Sequence, residues 1–176
     1  TSIAEVPDPV DLAVLIVPSK AMPSALADCG ARGIRAAIIM AGGFREIGPA
    51  GAALEDEILR IARENQIRIL GPNCIGLLDT HYPLDTTFLP PPLPARGDIG
   101  FLSHSGAFCA AVIDWSRQQG FSFSRLVSLG NQTDITETDL LGIMAADKHT
   151  RVLAMYIESL PDGKRFIEEA RKMVET

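Results

Sequence analysis

Short apolar runs alternate with longer segments of helical periodicity along the whole of this chain. The apolar runs lie at residues 12–17, 34–40, 67–70, 99–102, 125–128 and 152–157. The helical segments lie at residues 18–30, 50–65, 107–119, 136–146 and 163–175. Strands that alternate with helices form parallel sheets through right-handed crossovers. We therefore predict an α/β fold with two Rossmann-like or flavodoxin-like three-layer units, both incomplete, each with a parallel sheet.

Residues 80–97 interrupt this alternation. The stretch shows little periodicity and holds prolines at positions 83, 90, 91, 92 and 94. Proline fixes φ and removes a backbone donor, so such a segment cannot be a helix or a central strand. We predict an ordered, partly extended linker between a first domain at residues 1–79 and a second domain at residues 98–176.

The composition argues against several kinds of partner. The net charge is −6 without a basic cluster, which disfavours nucleic acid and anionic membrane surfaces. Cys29, Cys74 and Cys109 form no CxxC pair, and the histidines have no metal-ligand spacing. We expect a cytoplasmic protein with reduced thiols, no membrane segment and no metal site in this chain.

Small and polar residues follow each predicted strand. Ligands of open α/β sheets bind beyond the carboxyl ends of the strands, so these loops are candidate sites. The loops of the first half are Pro18-Ser19-Lys20, Ala41-Gly42-Gly43-Phe44 and Gly71-Pro72-Asn73-Cys74. The loops of the second half are Ser103-His104-Ser105-Gly106, Gly130-Asn131-Gln132-Thr133-Asp134 and Glu158-Ser159.

The turn at residues 103–106 joins an apolar strand to a helix that is predicted to start at Ala107. A helix start leaves backbone N–H groups without partners and carries partial positive charge, which suits phosphate or carboxylate. We predict a phosphate-binding site formed by Ser103, Ser105, Gly106 and the backbone of Ala107. The alternative is that the two serines only cap the helix.

The same loops resemble those of a known family. The segments Met40-Ala41-Gly42-Gly43-Phe44-Arg45-Glu46 and Leu70-Gly71-Pro72-Asn73-Cys74-Ile75-Gly76 resemble the CoA-binding domain of NDP-forming acyl-CoA synthetases. The ligase domain that follows it, which is similar to succinyl-CoA synthetase, is matched by Leu102-Ser103-His104-Ser105-Gly106-Ala107, Val127-Ser128-Leu129-Gly130-Asn131 and Tyr156-Ile157-Glu158-Ser159. The family includes ADP-forming acetate–CoA ligases, the alpha subunits of succinyl-CoA ligases, and protein lysine acetyltransferases that carry the same domains.

The resemblance implies a reaction and roles for particular residues. Acyl-CoA would form from a carboxylic acid, CoA and ATP through an acyl phosphate, with a histidine carrying the phosphoryl group. Catalytic roles fall to Glu158, which would hydrogen-bond that histidine, and to Asn73, which with Cys74 would lie near the phosphate site. Binding of CoA falls to Pro18, Ser19, Lys20, Ala41, Gly42, Gly43 and Phe44. The implied partners are an ATP-grasp domain or beta subunit that binds ATP or ADP with Mg²⁺, and further copies in an oligomer.

Two parts of the family pattern have no counterpart here. The glycine-rich turn that holds the CoA nucleotide would precede Leu12, and the phosphohistidine would follow the last helix. We therefore expect an internal piece of a ligase, with the C-terminal half of the CoA-binding domain and the N-terminal part of the ligase domain. The alternative is a CoA-sensing or acyl-CoA-sensing regulatory domain of a protein lysine acetyltransferase. The acid, the choice between ATP and GTP, and the oligomeric state stay open.

Several side chains have a structural interpretation. His104 is predicted to be a surface or capping residue rather than a phosphate carrier. Phe108 and Trp115 lie seven positions apart on one helix face, which favours core packing. Cys74 and Cys109 are predicted to be buried, and Asp134 is interpreted as a turn residue.

Overall fold

The computed structural model describes residues 3–174, which form two compact units. Unit 1 comprises the residues up to Cys74 together with Gly130–Ile135, and unit 2 comprises Ile75–Leu129 together with the residues from Thr136 onward. Every predicted strand and helix is present, with ends that differ by a few residues. The two residues at each chain end, including Glu175 of the last predicted helix, lie outside the described range.

Unit 1 is built on a parallel sheet of β1 (Leu12–Leu15), β2 (Ala36–Ile39) and β3 (Arg68–Leu70), in that order. Helices α1 (Met22–Ala31) and α2 (Pro49–Glu64) connect the strands. Both crossovers run in the same direction along the sheet, so right-handed connection puts both helices on one face. The two helices pack against each other there. The sheet and its two helices thus form two of the three layers that were predicted for this unit, within the described residues.

The core of unit 1 lies between the sheet and these helices. Alternate strand positions and one stripe of each helix supply the buried side chains, which include Ala13, Leu15, Ala37, Ile39, Ile69, Met22, Leu26, Cys29, Ile58 and Ala62. Each large aliphatic side chain buried in this way stabilises the fold by about 1.5–3 kcal/mol. Burial, with a smaller contribution from the charge of Asp28, raises the pKa of the Cys29 thiol.

Residues 130–135 belong to unit 1, although they are predicted to lie in the second domain at residues 98–176. Their backbone N–H groups donate to carbonyls of the β3 region, from Asn131 to Pro72 at 2.9 Å, from Thr133 to Gly71 at 3.2 Å and from Ile135 to Ile69 at 3.2 Å. The partners run in opposite directions, so this segment continues the edge of the sheet in antiparallel sense. A periodicity argument cannot detect such a pairing because the partners are far apart in sequence.

Asp134 has a larger role than that of the predicted turn residue. Its carboxylate accepts hydrogen bonds from the Arg68 Nε and from the backbone N–H of Ile69, both at 2.8 Å. The Asp134 side chain therefore joins the 130–135 segment to the start of β3 by two hydrogen bonds.

Glu55 of α2 is fully buried, and its carboxylate is surrounded by donors. The Arg45 backbone N–H donates at 3.1 Å and the Arg45 Nε at 2.5 Å. The Asn131 amide donates at 2.9 Å, and the Thr133 hydroxyl donates as well. Burying a carboxylate without such partners is very costly. Glu55 therefore links α2 to the 130–135 segment.

We expect the replacement Glu55→Ala to lower the free energy of unfolding by about 3 kcal/mol, because it leaves buried donors unpaired. The control is Glu57→Ala on the exposed face of the same helix, which should change it by less than about 0.5 kcal/mol. Urea unfolding followed by circular dichroism measures both. Equal losses for the two variants would contradict the assigned role of Glu55.

Unit 2 contains a five-stranded sheet. Its strands are β4 (Leu77–Asp79), β5 (Leu84–Asp85), β6 (Ile99–Ser103), β7 (Phe123–Ser128) and β8 (Val152–Tyr156), in the order β5-β4-β7-β6-β8. Its helices are α3 (Gly106–Gln119), α4 (Glu137–Ala145) and α5 (Gly163–Val174). Strand β6 lies between β7 and β8 and pairs in parallel with both. Successive crossovers run in opposite directions from it, so α3 and α4 cover opposite faces.

The predicted α/β fold is confirmed, and the sheet of unit 2 is mixed because antiparallel strands join the predicted parallel ones. Strand β4 pairs antiparallel with both β7 and β5. Antiparallel edge strands on an otherwise parallel sheet are common. Both strands are too short to show a periodic pattern, so the sequence analysis left β4 in the first domain and β5 in the linker.

The proline-rich stretch at residues 80–97 is ordered within unit 2. The Thr80 hydroxyl donates to the Phe123 carbonyl at 2.7 Å. One terminal nitrogen of the Arg117 guanidinium donates to the carbonyls of Pro90 and Pro92, at 3.0 and 2.6 Å. Apart from the short strand β5, the stretch is irregular backbone held by such bonds.

The core of unit 2 packs the sheet against α3 and includes Leu78, Phe101, Cys109, Ile113, Phe123 and Leu126. Burial of Cys109 agrees with the prediction. The prediction for Phe108 and Trp115 was wrong, since these side chains are 40% and 56% exposed. The buried stripe of α3 instead runs through Cys109, Ile113 and Ser116, one position away from Phe108.

Candidate functional site

The loops that follow β1 and β2 approach each other at the carboxyl end of the unit 1 sheet. A short 3-10 helix, Ser19–Ala21, follows Pro18 after β1. At Gly43, which has a φ of 99°, a Cβ atom would lie 2.7 Å from the Ser19 hydroxyl. Only glycine fits there without strain. The structure thus brings together the two loops predicted to bind CoA, with Pro18, Lys20 and Gly42 exposed to solvent.

The Ala41–Phe44 loop is held by hydrogen bonds to the Glu46 carboxylate. This carboxylate accepts the N–H groups of Gly43 at 2.5 Å and Phe44 at 3.1 Å, and the amide of Asn131 at 2.7 Å. Partial burial opposes ionisation of Glu46, but these hydrogen bonds outweigh it and lower its pKa. The Phe44 ring is fully buried. The N–H groups of Gly43 and Phe44 are therefore already bonded to Glu46. A ligand would contact the other exposed backbone atoms of the loop.

The Gly71-Pro72-Asn73-Cys74 turn follows β3. Gly71 has a φ of 99°, and a Cβ there would lie 2.4 Å from the Ile39 carbonyl oxygen. Asn73 is exposed, has a φ of 59°, and its amide donates to the Asn131 side chain at 3.3 Å. The Cys74 thiol is buried and donates to the Ile39 carbonyl at 3.4 Å, in agreement with the prediction that it fills a buried space.

In unit 2, the loop from Ser103 to the start of α3 is tightly ordered. The buried Ser103 hydroxyl donates to the Ser105 carbonyl at 2.9 Å and accepts the Ser105 N–H at 3.1 Å. The Ser105 hydroxyl accepts the Phe108 N–H at 3.2 Å, as a helix N-cap does. Ser105 is therefore a helix cap, as the alternative interpretation expects, whereas Ser103 bonds to the backbone of Ser105. The N–H groups of Gly106 and Ala107 precede the first helical hydrogen bond and have no acceptor within α3.

Gly106 is required by close packing. A Cβ at this position would lie 2.8 Å from the Ile75 side chain and 3.6 Å from the Ser128 hydroxyl. The helix start is therefore seated against the end of β7, which keeps its first N–H groups near the edge of the sheet.

His104 is buried, so its prediction as a surface or capping residue was wrong. Its side chain is 3% exposed, and its Nε2 lies 3.1 Å from the Glu137 carboxylate at the start of α4. Its Nδ1 accepts the backbone N–H of Glu158 at 3.1 Å. Glu137 is a site residue that the sequence analysis missed, because nothing in its local pattern separates it from an ordinary first-turn acid.

Glu158 lies just beyond β8 and is exposed. Among the described residues its carboxylate makes no hydrogen bond or ion pair. The neighbouring Tyr156 ring stacks on Phe108 with a centroid distance of 4.5 Å and an interplanar angle of 24°. Tyr156 is paired with Ser103 across β6 and β8, so the aromatic pair flanks the loop that starts α3.

The predicted site residues therefore fall into two groups. Unit 1 holds the proposed CoA loops and Asn73, and unit 2 holds residues 103–107 and Glu158. The expected proximity of Asn73 and Cys74 to residues 103–107 stays a prediction. Within residues 3–174 no three His, Cys, Asp or Glu side chains gather in a way that would hold a metal ion. In the same range, no helix has the length and apolar character needed to cross a membrane.

Two protein-family models match the chain. Residues 1–80 match a CoA binding domain, and residues 96–176 match a succinyl-CoA ligase like flavodoxin domain. The loops described above lie within these two matches.

Curated relatives match across both domains. Acetate–CoA ligase [ADP-forming] I of Archaeoglobus fulgidus is 39% identical over 98% of this chain and 25% of its own length. The alpha subunit of acetate–CoA ligase [ADP-forming] II of Pyrococcus furiosus is 37% identical over 98% of this chain and 37% of its own length. A 4-hydroxybutyrate–CoA ligase [ADP-forming] of Nitrosopumilus maritimus is 37% identical over 98% of this chain and 25% of its own length. The chain thus spans well under half the length of these relatives.

Solved structures share the fold. A protein of Pyrococcus horikoshii OT3 superposes with a TM-score of 0.94 at 33% identity, over 99% of this chain and 40% of that one. The dinucleotide-forming acetyl-coenzyme A synthetase 1 of Ca. Korarchaeum cryptofilum superposes with a TM-score of 0.91 at 35% identity, over 98% and 37%. That synthetase is also known in complex with phosphate and ADP. Because both of its domains and these relatives agree, we conclude that the chain belongs to the family of NDP-forming acyl-CoA synthetases.

Proposed function

We propose that this chain is part of an ADP-forming acid–CoA ligase, which joins a small carboxylic acid to CoA while ATP becomes ADP and phosphate. The observation that carries the proposal is the start of α3, where the N–H groups of Gly106 and Ala107 have no acceptor within the helix. In a chain whose named relatives are ADP-forming ligases, this feature is best explained as a phosphate site.

Unit 1 supplies the CoA site in this proposal. The exposed Lys20 offers a positive charge to the CoA phosphates, and the exposed backbone of Gly42 offers a close approach. Gly43 leaves room beside the Ser19 hydroxyl, which is free to turn toward a ligand. Glu46 keeps the loop in this shape by accepting two of its N–H groups.

Unit 2 supplies the phosphate site. The serine hydroxyls already hold the loop, so Ser103 and Ser105 act by fixing the backbone, and the N–H groups of Gly106 and Ala107 bind the anion. Phosphoryl transfer depends mainly on positioning and on preorganised donors of this kind. A phosphohistidine of the longer protein would transfer its phosphoryl group to the acid, and the CoA thiolate would then displace phosphate from the acyl phosphate.

Glu158 has a separate role in this scheme. A carboxylate repels a phosphate, so its place beside the loop requires a ring N–H between them. We assign to Glu158 the hydrogen bond that orients the phosphohistidine. The ATP, with its Mg²⁺, would be bound by an ATP-grasp domain or a beta subunit. The alternative of a CoA-sensing regulatory domain gains no support from the geometry or from the relatives named above.

The helix cap and the phosphate site can be separated at Ser105. Asp and Asn are both good N-caps, but Asp adds a negative charge at the anion site. In the longer ligase, Ser105→Asp should raise the KM for phosphate in the reverse reaction by about tenfold or more. Ser105→Asn should stay within about threefold of the parent. If both variants keep the parental KM and melting temperature, residues 103–107 are only a helix cap.

Glu158→Gln keeps the shape of the side chain and its backbone bond to His104. We expect phosphohistidine formation from labelled ATP to fall by about tenfold, because a hydrogen bond to a charged group is lost. The affinity for CoA, measured by calorimetry, should stay unchanged. Parental levels of acid-labile label in the variant would remove Glu158 from the mechanism.

The chain of 176 residues is expected to lack ligase activity by itself. Of its histidines, only His104 lies in a loop predicted to bind phosphate, and both of its ring nitrogens are engaged in a buried setting. Incubation with ATP, Mg²⁺, acetate and CoA should yield no acetyl-CoA above background, and CoA should bind weakly. Clear turnover would contradict the assignment of the phosphohistidine to another part of the longer protein.

A further inference from the structure

His104 connects three separate segments of unit 2. It lies in the loop after β6, between the two serines of the proposed phosphate site. Its Nε2 reaches Glu137 in the first turn of α4, and its Nδ1 accepts the N–H of Glu158 beyond β8, both at 3.1 Å. The backbone N–H of His104 also donates to the Tyr156 carbonyl at 3.1 Å.

These contacts determine where the ring proton lies. A backbone N–H can only donate, so the Nδ1 that accepts from Glu158 must carry no proton. The proton of the neutral ring is therefore on Nε2, which donates to the Glu137 carboxylate. The other oxygen of Glu137 accepts the Thr138 hydroxyl at 2.8 Å. The side chains of His104 and Glu137 are 3% and 1% exposed, so water does not compete for these bonds.

The backbone of Glu158 is held by the His104 ring. Within the described part of the chain, the bond from its N–H to His104 is the only hydrogen bond that Glu158 makes. Its carboxylate has no partner there, and the residues that follow it, up to Pro161, are exposed and outside regular structure. The backbone from which this carboxylate extends is therefore held relative to the loop at residues 103–107 through His104.

We propose that His104 is a positioning residue, which holds Glu158 at a fixed distance from the phosphate-binding loop through one accepted and one donated hydrogen bond. This inference rests on the proposed function, since it explains how Glu158 is held relative to the phosphate-binding loop of that same site. It assigns no direct contact between His104 and phosphate.

The geometry identifies matched variants. A glutamine amide presents an acceptor and a donor about as far apart as the two ring nitrogens, so His104→Gln keeps both bonds. Glutamate has the same shape as glutamine but has no donor, and it brings a second carboxylate against Glu137. An effect that separates His104→Gln from His104→Glu therefore reports on the hydrogen bonds and on the charge placed against Glu137, and not on the volume of the side chain.

The kinetic test uses the longer ligase that contains this chain. We expect His104→Glu to lower kcat by about thirtyfold or more, because small displacements of positioning groups cost up to about a hundredfold. The KM values for the acid and for CoA should change by less than about threefold. His104→Gln should restore kcat to within about threefold of the parent. An equal loss of kcat in both variants, or a lower melting temperature with parental kcat, would overturn the proposal.

A second measurement does not depend on activity or on the stability of a variant. In the parent protein labelled with ¹⁵N-histidine, the shifts of the His104 ring at neutral pH should show a protonated Nε2 and an unprotonated Nδ1. A proton on Nδ1 would overturn the proposal. Failure of the parent to make acyl-CoA from any acid would instead refute the proposed function, while the ring spectrum would still test the bond to Glu158.

Discussion

Parallel pairing of β6 with β7 and β8 is the constraint on which the site of unit 2 depends. Because the three strands run in the same direction, their carboxyl ends emerge at one edge of the sheet. Residues distant in sequence, such as Ser103 and Tyr156, thereby become direct neighbours. The start of α3 and the chain that carries Glu158 both leave from this edge. The strand order thus brings the proposed phosphate-binding loop and the segment that carries Glu158 to the same edge, where the bond between Glu158 and His104 joins them.

Unit 1 depends on a different interaction, the burial of Glu55 among donors from two segments. A buried carboxylate with its partners is weak evidence for stability, since its desolvation offsets much of the gain. Its effect here is on specificity: Asn131 and Thr133 reach the carboxylate only when residues 130–135 lie along the end of β3. Asn131 also bonds to Glu46, which holds the Ala41–Phe44 loop. Asn131 thus connects the buried Glu55 of α2 to the Ala41–Phe44 loop through Glu46.

Local pattern was enough to predict the long elements and the position of the candidate loops. Apolar runs of four or more residues mark buried strands, and the residues just after them are the loops at the carboxyl ends. Pairings between distant segments could not be predicted in this way. The burial of His104 depends on Glu137 and Glu158, which are 33 and 54 positions away. The strands β4 and β5 are too short to carry a period. Trp115 is exposed because the buried stripe of α3 runs through Cys109, Ile113 and Ser116 instead.

The path of residues 130–135 has a consequence for how the chain acquires its structure during synthesis. A ribosome delivers the strands and helices of unit 1 first, but Asn131 and Thr133, which also donate to Glu55, are delivered only after β7 has been made. Until then Glu55 has its Arg45 donors but lacks those of Asn131 and Thr133, and the carbonyls of Ile69, Gly71 and Pro72 lack the donors of residues 130–135. Folding of that domain is therefore not completed in the order of translation, and it waits for a segment of long sequence separation. The unit that begins first in sequence therefore receives its last segment only after much of the second unit has been made.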